Sequence, residues 1–247
     1  MELTPLTAIS PVDGRYRRAT EPLAEYYSEQ ALIRYRTLVE IEYFITLCEI
    51  PLPQLADFPK DRFDPLRQIA ADFSGKDAER VKAIEKVTNH DVKAVEYFLK
   101  EAFDKLGISR FSEFIHFGLT SQDVTNTAVP LCMQGAWQNV LQPAIDQVLS
   151  QIKQMAADWK EVVMLARTHG QPASPTSLGK EMFVFADRLS EQLALVAHIP
   201  FAAKFGGATG NFNAHFAAYP DIDWIAFADR FVGNTLDLKR SAVTTQI

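Results

Sequence analysis

Two cysteines in 247 residues are too few for a disulfide framework, and Cys48 and Cys132 sit in apolar helical patterns without zinc-ligand spacing. Both are expected to be plain core thiols. A basic excess is missing too, since 25 Lys and Arg face 31 Asp and Glu, giving a net charge of −6. That excludes the cationic footprint on which nonspecific nucleic-acid binding depends. No apolar run approaches the roughly 20 residues of a membrane span, and the opening MELTPLTAISPVDGRYRR lacks the apolar core of a secretory signal. The expected location is cytoplasmic, with neither nucleic acid nor membrane as partner. There is no Walker loop, dinucleotide fingerprint or nucleophile elbow, and no two pairs of His, Cys or acidic residues have metal-ligand spacing. Neither a metal nor a cofactor is expected. Repeats and low-complexity tracts are absent, and strand signals are confined to VVMLA (162–166) and a Gly-rich stretch near 204–215.

What remains is helical text. From Ser28 to Ile50 the residues Leu32, Tyr35, Val39, Tyr43 and Leu47 recur at helical spacing, and Pro51 and Pro53 close the pattern. Further helices are expected over 61–73, over 76–87, and from Asp91 to a stop at Gly107. Ser121 to Trp159 reads as one very long helix of about 39 residues, on the order of 58 Å at about 1.5 Å per residue, with Pro130 and Pro143 expected to kink or break it. A second long helix is expected from Pro175, behind Ser174, to Pro200, and a short one from Asp223 to Val232. The class is mainly α: a helical N-terminal domain over 1–110, then the first part of a long-helix bundle over 111–247. Two long helices with broad apolar faces need more partners than these residues supply, so the bundle is expected to be incomplete.

Polar islands interrupt the helices at Asp13-Gly14-Arg15-Tyr16, Thr88 to Asp91, His116 to Asp123, Arg167 to Gln171 and, rich in glycine, Gly206 to His215. The most informative is Arg167-Thr168-His169-Gly170-Gln171-Pro172. Gly170 and Pro172 oppose helix there, so His169 is expected on irregular backbone, where an imidazole can exchange a proton with a ligand near neutral pH. Asn89-His90-Asp91 and Thr120-Ser121-x-Asp123 also read as plain helix caps, and Arg15-Tyr16 as a solvated pair. The functional alternative joins them in one site. Helix starts at Asp91 and Ser121 present free N–H groups to a carboxylate or phosphate, and Arg15, Lys93 and Arg167 are available as cations. His198 and His215 have less to recommend them.

FIHFGLTSQDVTNTA (114–128) and RTHGQPASPTSLGKEM (167–182) resemble the first and second signatures of the fumarase, aspartase and argininosuccinate lyase superfamily. SPVDGRY, TNHDVKAVEYFLKE, GGATGNFNAH and TTQI resemble its adenylosuccinate lyase family in particular. The resemblance runs from about Leu3 to Ile247. It implies a homotetramer and a small-molecule substrate: fumarate is eliminated from adenylosuccinate, and from the succinylcarboxamide ribotide of purine synthesis, SAICAR. It makes His169 the general acid, with Thr168 and Gln171 beside it. Asn89, His90 and Asp91 line the site, with His90 supporting proton transfer or orientation. Thr120 and Ser121 hold a succinyl carboxylate, Arg15 and Tyr16 the nucleotide end, and Gln246 touches substrate. The superfamily's third signature, S-S-x-M-P-x-K-x-N, carries the serine base and is expected beyond TTQI. These residues thus resemble an N-terminal portion without base or C-terminal domain, expected to be inactive alone. Argininosuccinate lyase or fumarase is the nearest alternative, and a noncatalytic helical assembly module the more distant one.

Overall fold

A computed structural model describes residues 2–247. Its helices are α1 (Asp13–Thr20), α2 (Ala24–Tyr27), α3 (Glu29–Cys48), α4 (Phe63–Ala71), α5 (Gly75–Thr88), α6 (Asp91–Lys105), α7 (Ser121–Ala136), α8 (Gln142–Asp158), α9 (Leu178–Ala197), α10 (Asn213–Ala218) and α11 (Trp224–Asp229). The strands are β1 (Val163–Thr168), β2 (Gln171–Ser177), β3 (Ala202–Lys204) and β4 (Lys239–Ser241). The expected mainly α class holds. No described helix is long and apolar enough to cross a membrane. By contacts the chain forms two units, one of residues up to Ala136 together with Phe201–Ile247, the other Trp137–Pro200.

The first unit is organised on α3. Ser28 caps it by accepting the Ala31 N–H, and Ile33, Val39, Ile41, Tyr43, Phe44, Ile45 and Leu47 are all buried. The sequence stripe was therefore only one of its buried faces. A helix apolar on several sides belongs in the middle of a core, and α4, α6 and α7 pack around this one. Phe44 meets Phe58 and Phe103 edge-on with centroids 5.1 and 4.9 Å away, while Tyr43 packs on Phe205, Phe227 and Phe231. Of the polar groups α3 carries into this core, Thr37 and Thr46 are satisfied locally by donating to the carbonyls of Ile33 and Glu42, whereas Arg36 and Glu40 reach the distant Asp91 and His116. Cys132 is buried and Cys48 partly so, and burial pushes both thiols up to about 12, as inert core thiols require.

The second unit holds a π-helical turn at Trp137–Leu141, then α8, the β1–β2 hairpin and α9. Pro130 stays inside α7, and Pro143 sits in the first turn of α8, where a missing N–H costs nothing. Two expectations need correction. Pro175 does not open the following helix and Ser174 does not cap it: both lie in β2, with Pro175 opposite Leu165. Ser177 is the cap, accepting the Lys180 N–H, and α9 starts at Leu178. A two-stranded hairpin tolerates prolines because each strand keeps an edge without partners. Gly179 lets α9 approach the end of α8, where a Cβ would stand 2.3 Å from the Ala156 carbonyl. Within this unit Val148, Phe183, Phe185, Leu195 and Ile199 remain exposed, so the apolar faces of α8 and α9 are largely uncovered there.

Candidate active site

His169 is at the tip of the hairpin rather than on irregular backbone. Thr168 pairs with Gln171 across a two-residue turn in which His169 and Gly170 have φ of 51° and 76°. Positive φ at both central residues is the geometry that matches the twist of paired strands. Gly170 adopts it without strain, whereas His169 is held there by the pairing on either side. Arg167 reaches over the tip to donate to the Gly170 carbonyl at 3.3 Å. Thr168, His169 and Gln171 are all exposed.

Asn89, His90 and Asp91 join α5 to α6. Asn89 ends α5 in the left-handed region at φ 54°, a conformation asparagine tolerates well. His90 caps α6, its Nδ1 accepting the Lys93 N–H at 3.2 Å. Asp91 pairs with the buried Arg36 at 2.8 Å. Burial pushes the Asp91 carboxyl up, but the Arg36 charge and the Val92 N–H outweigh it and hold the group below the usual carboxylate range. A surface groove runs along Lys82, Glu85, Lys86 and these three residues, and a deeper cavity of about 370 Å³ meets Arg36 and Asp91 from the side of Tyr26 and Cys132. Lys93, one of the cations expected at the site, is engaged by Glu96 at 2.7 Å.

Thr120 and Ser121 open α7 and are partly exposed. The Asp123 carboxylate accepts the Thr120 N–H at 2.9 Å, and Gln246 Nε2 is 3.4 Å from Thr120 Oγ1, so two expected site residues meet although 126 positions apart. Arg15 and Tyr16 are exposed on α1, with the guanidinium 5.3 Å from the ring centroid. Among the described residues no hydrogen bond or ion pair links them to Asn89, His90, Asp91, Thr120, Ser121 or Gln246.

Behind Thr120 lies a buried polar framework of which the sequence reading identified only the Asp123 cap. Asp123 also accepts Lys204 Nζ at 2.6 Å, the Gly206 N–H at 2.9 Å and the Gly207 N–H at 3.1 Å. Tyr43 donates to the Phe117 carbonyl at 2.6 Å and lies 2.9 Å from His215 Nε2. His116 bonds Glu40 at 2.5 Å. Lys204 and His215 are separated from their partners by 81 and 172 residues, so no local pattern announces them.

The family model described as Lyase matches residues 14–243. The chain belongs to this lyase family. It is 51% identical to the adenylosuccinate lyase of Dictyostelium discoideum over the whole of this chain and 54% of that protein, and 42% identical to that of Escherichia coli K12 over the same shares. It spans about half the length of the curated relatives it matches. Among solved structures, a fumarate lyase from a Mesorhizobium strain superposes with a TM-score of 0.71 at 19% identity, covering 91% of this chain and 49% of that one. The β-carboxy-cis,cis-muconate cycloisomerase of Acinetobacter calcoaceticus gives 0.68 at 21% identity over 90% and 50%. At such identities the structures establish the fold alone.

Proposed function

We propose that this chain is the N-terminal portion of an adenylosuccinate lyase, covering the helical domain of 1–110 and the start of the central bundle over 111–247. The observation that carries the reading is 51% identity to such an enzyme along the entire chain. In the reaction, a base beyond these residues removes a Cβ proton of the succinyl group. The resulting carbanion is delocalised into the adjacent carboxylate, the C–N bond breaks, and fumarate departs. His169 protonates the leaving nitrogen, a transfer that general acids typically accelerate about 100- to 10,000-fold. Thr120 and Ser121 grip a succinyl carboxylate, and charge growing on it in the transition state is met by donors at the start of α7. Thr168 and Gln171 flank the acid. Asn89, His90 and Asp91 line the pocket, Arg15 and Tyr16 take the nucleotide end, and Gln246 touches substrate. The substrates are adenylosuccinate and SAICAR, the assembly a homotetramer, and the setting cytoplasmic purine nucleotide synthesis.

The exposed placement of His169 on a two-residue turn supports the acid role, and the Thr120–Gln246 contact supports a shared subsite. The test is fumarate release from adenylosuccinate by the full-length protein, by its His169→Gln variant and by the 247-residue chain. Turnover by the first, a loss of about 100-fold or more in the second and none in the third is expected. Full activity of the variant would remove His169 from the mechanism, and steady turnover by the chain alone would place the base within it.

A further inference from the structure

The Asp123–Lys204 pair is buried on both sides, with side-chain exposures of 0% and 4%. Such a pair is a weak source of stability, because desolvation of two charges offsets most of their attraction. Its position is more informative. Asp123 lies in the first turn of α7, and its carboxylate is tied back to the Thr120 N–H. An uncompensated carboxylate there would stabilise the helix yet repel any anion approaching the same end. Lys204 sits on Asp123 at 2.6 Å and also donates to the Gly207 carbonyl, while Gly206 and Gly207 give their N–H groups to Asp123. One carboxylate therefore receives a full positive charge and three backbone donors, Thr120 included. The N–H groups of Ser121 and Gln122, which have no intrahelical acceptor, are left facing a cancelled charge.

The same contacts fix the loop that follows Lys204. Gly206 approaches Gly210 so closely that a Cβ would stand 3.0 Å from its Cα, and Gly210 lies against Thr244, where a Cβ would stand 2.4 Å from the carbonyl. Thr244 is two residues before Gln246. The Asp123 hub thus connects the start of α7, the glycine loop and the Gln246 segment.

We infer that Lys204 is a positioning residue for carboxylate binding: it cancels the Asp123 charge at the start of α7. This rests on the proposed reading of Thr120 and Ser121 as a carboxylate site. Lys204 itself does not touch the substrate.

The test measures KM and kcat for adenylosuccinate in the full-length protein carrying Lys204→Met, the charge-cancelled pair Asp123→Asn with Lys204→Met, or Ser121→Ala. With Asp123 uncompensated, KM is expected to rise about tenfold or more, because a like charge faces the ligand across a poorly screened interior. The fall in kcat should be smaller. The double variant should return KM to within about threefold of the native value, since it restores neutrality, a recovery that a merely structural role would not produce. Should Lys204→Met not fold, the double variant decides alone. Near-native KM in it supports the inference, and a tenfold loss overturns it. A Lys204→Met enzyme with native KM and only a lower melting temperature also overturns it. Ser121→Ala separates the two readings. If it leaves KM unchanged, the carboxylate assignment itself fails, whereas if it raises KM while Lys204→Met does not, only the role of Lys204 is wrong.

Discussion

His215 offers a quantitative acid-sensitivity prediction. The ring is fully buried, surrounded by Phe117, Phe212, Trp224 and Tyr43. The Tyr43 hydroxyl spends its single proton on the Phe117 carbonyl, so toward His215 Nε2 it can only accept. Nε2 must therefore carry the proton of the neutral ring. Nδ1 is left buried with no partner, and a second proton could bind only there, as a cation without an acceptor. Burial accordingly drives the pKa down from 6.5 to about 4, against a small opposing effect of Asp123. A folded-state pKa below the unfolded one gives stabilisation that is complete above about 6.5 and is lost as pH falls through about 4. At about 1.4 kcal/mol per tenfold change in acidity, the gap amounts to about 3 kcal/mol, most of it lost by about pH 4.5. The assay is a ring-resolved NMR titration of the 247-residue chain, with nitrogen shifts reporting the tautomer. Urea unfolding of the native chain and of His215→Gln at neutral and acid pH accompanies it. The native chain should lose about 3 kcal/mol more than the variant on acidification. A His215 midpoint near 6.5, a proton on Nδ1, or equal losses in the two proteins would refute the reasoning.

Two further outcomes follow from neighbouring residues. Gly118→Ala should lower stability by about 2–4 kcal/mol in urea unfolding, combining left-handed strain with overpacking; φ there is +68°, and a Cβ would stand 2.8 Å from the His215 ring. A loss under about 0.5 kcal/mol would mean that the ring simply moves aside. His116 should show the opposite pH sign to His215. Burial lowers its pKa, but the adjacent Glu40 carboxylate and then Glu96 outweigh burial and the opposing Lys93 charge, for a net rise. Its ion-pair stabilisation is therefore complete below about 6.5 and disappears as pH rises through the raised value. In Glu40→Gln the His116 titration midpoint should drop, and an unmoved midpoint would show that Glu40 is not the cause.

The sequence was most readable where structure is set locally. Ser28, Ser74-Gly75 and His90-Asp91 begin helices within a residue or two of their expected starts, because a cap acts over only three or four positions. In the hairpin, VVMLA is strand-like in sequence, whereas Pro172 and Pro175 suggest a break and a helix start. Pairing between β1 and β2, a property of two segments together, overrode that local preference. Pro130 does not break its helix, since α7 packs on the buried α3 and continues through the proline. Lys204 and His215 were out of reach altogether. Nothing near Lys204 shows that its partner is 81 residues away, and a lone histidine after a Gly-rich run gives no hint of Tyr43.

Capping and ligand binding are compatible at His90 and Thr120. Because His90 Nδ1 accepts the Lys93 N–H, the neutral ring must hold its proton on Nε2, so the cap itself fixes the tautomer and leaves Nε2–H as a donor. At α7 the Asp123 carboxylate of the capping pattern accepts the Thr120 N–H, and Thr120 Oγ1 meets Gln246 Nε2. Both helix starts then share one electrostatic arrangement. Each has an aspartate in its first turn, and each aspartate meets a buried cation from a distant element, Arg36 for Asp91 and Lys204 for Asp123. A helix that needed only stability would keep its acidic first turn unopposed, since that charge already complements the dipole. At α7, where both partners are buried, opposing it costs desolvation that stability alone does not return, whereas Asp91 at α6 keeps about half of its side chain in solvent. At α7 that cost fits the proposed carboxylate site.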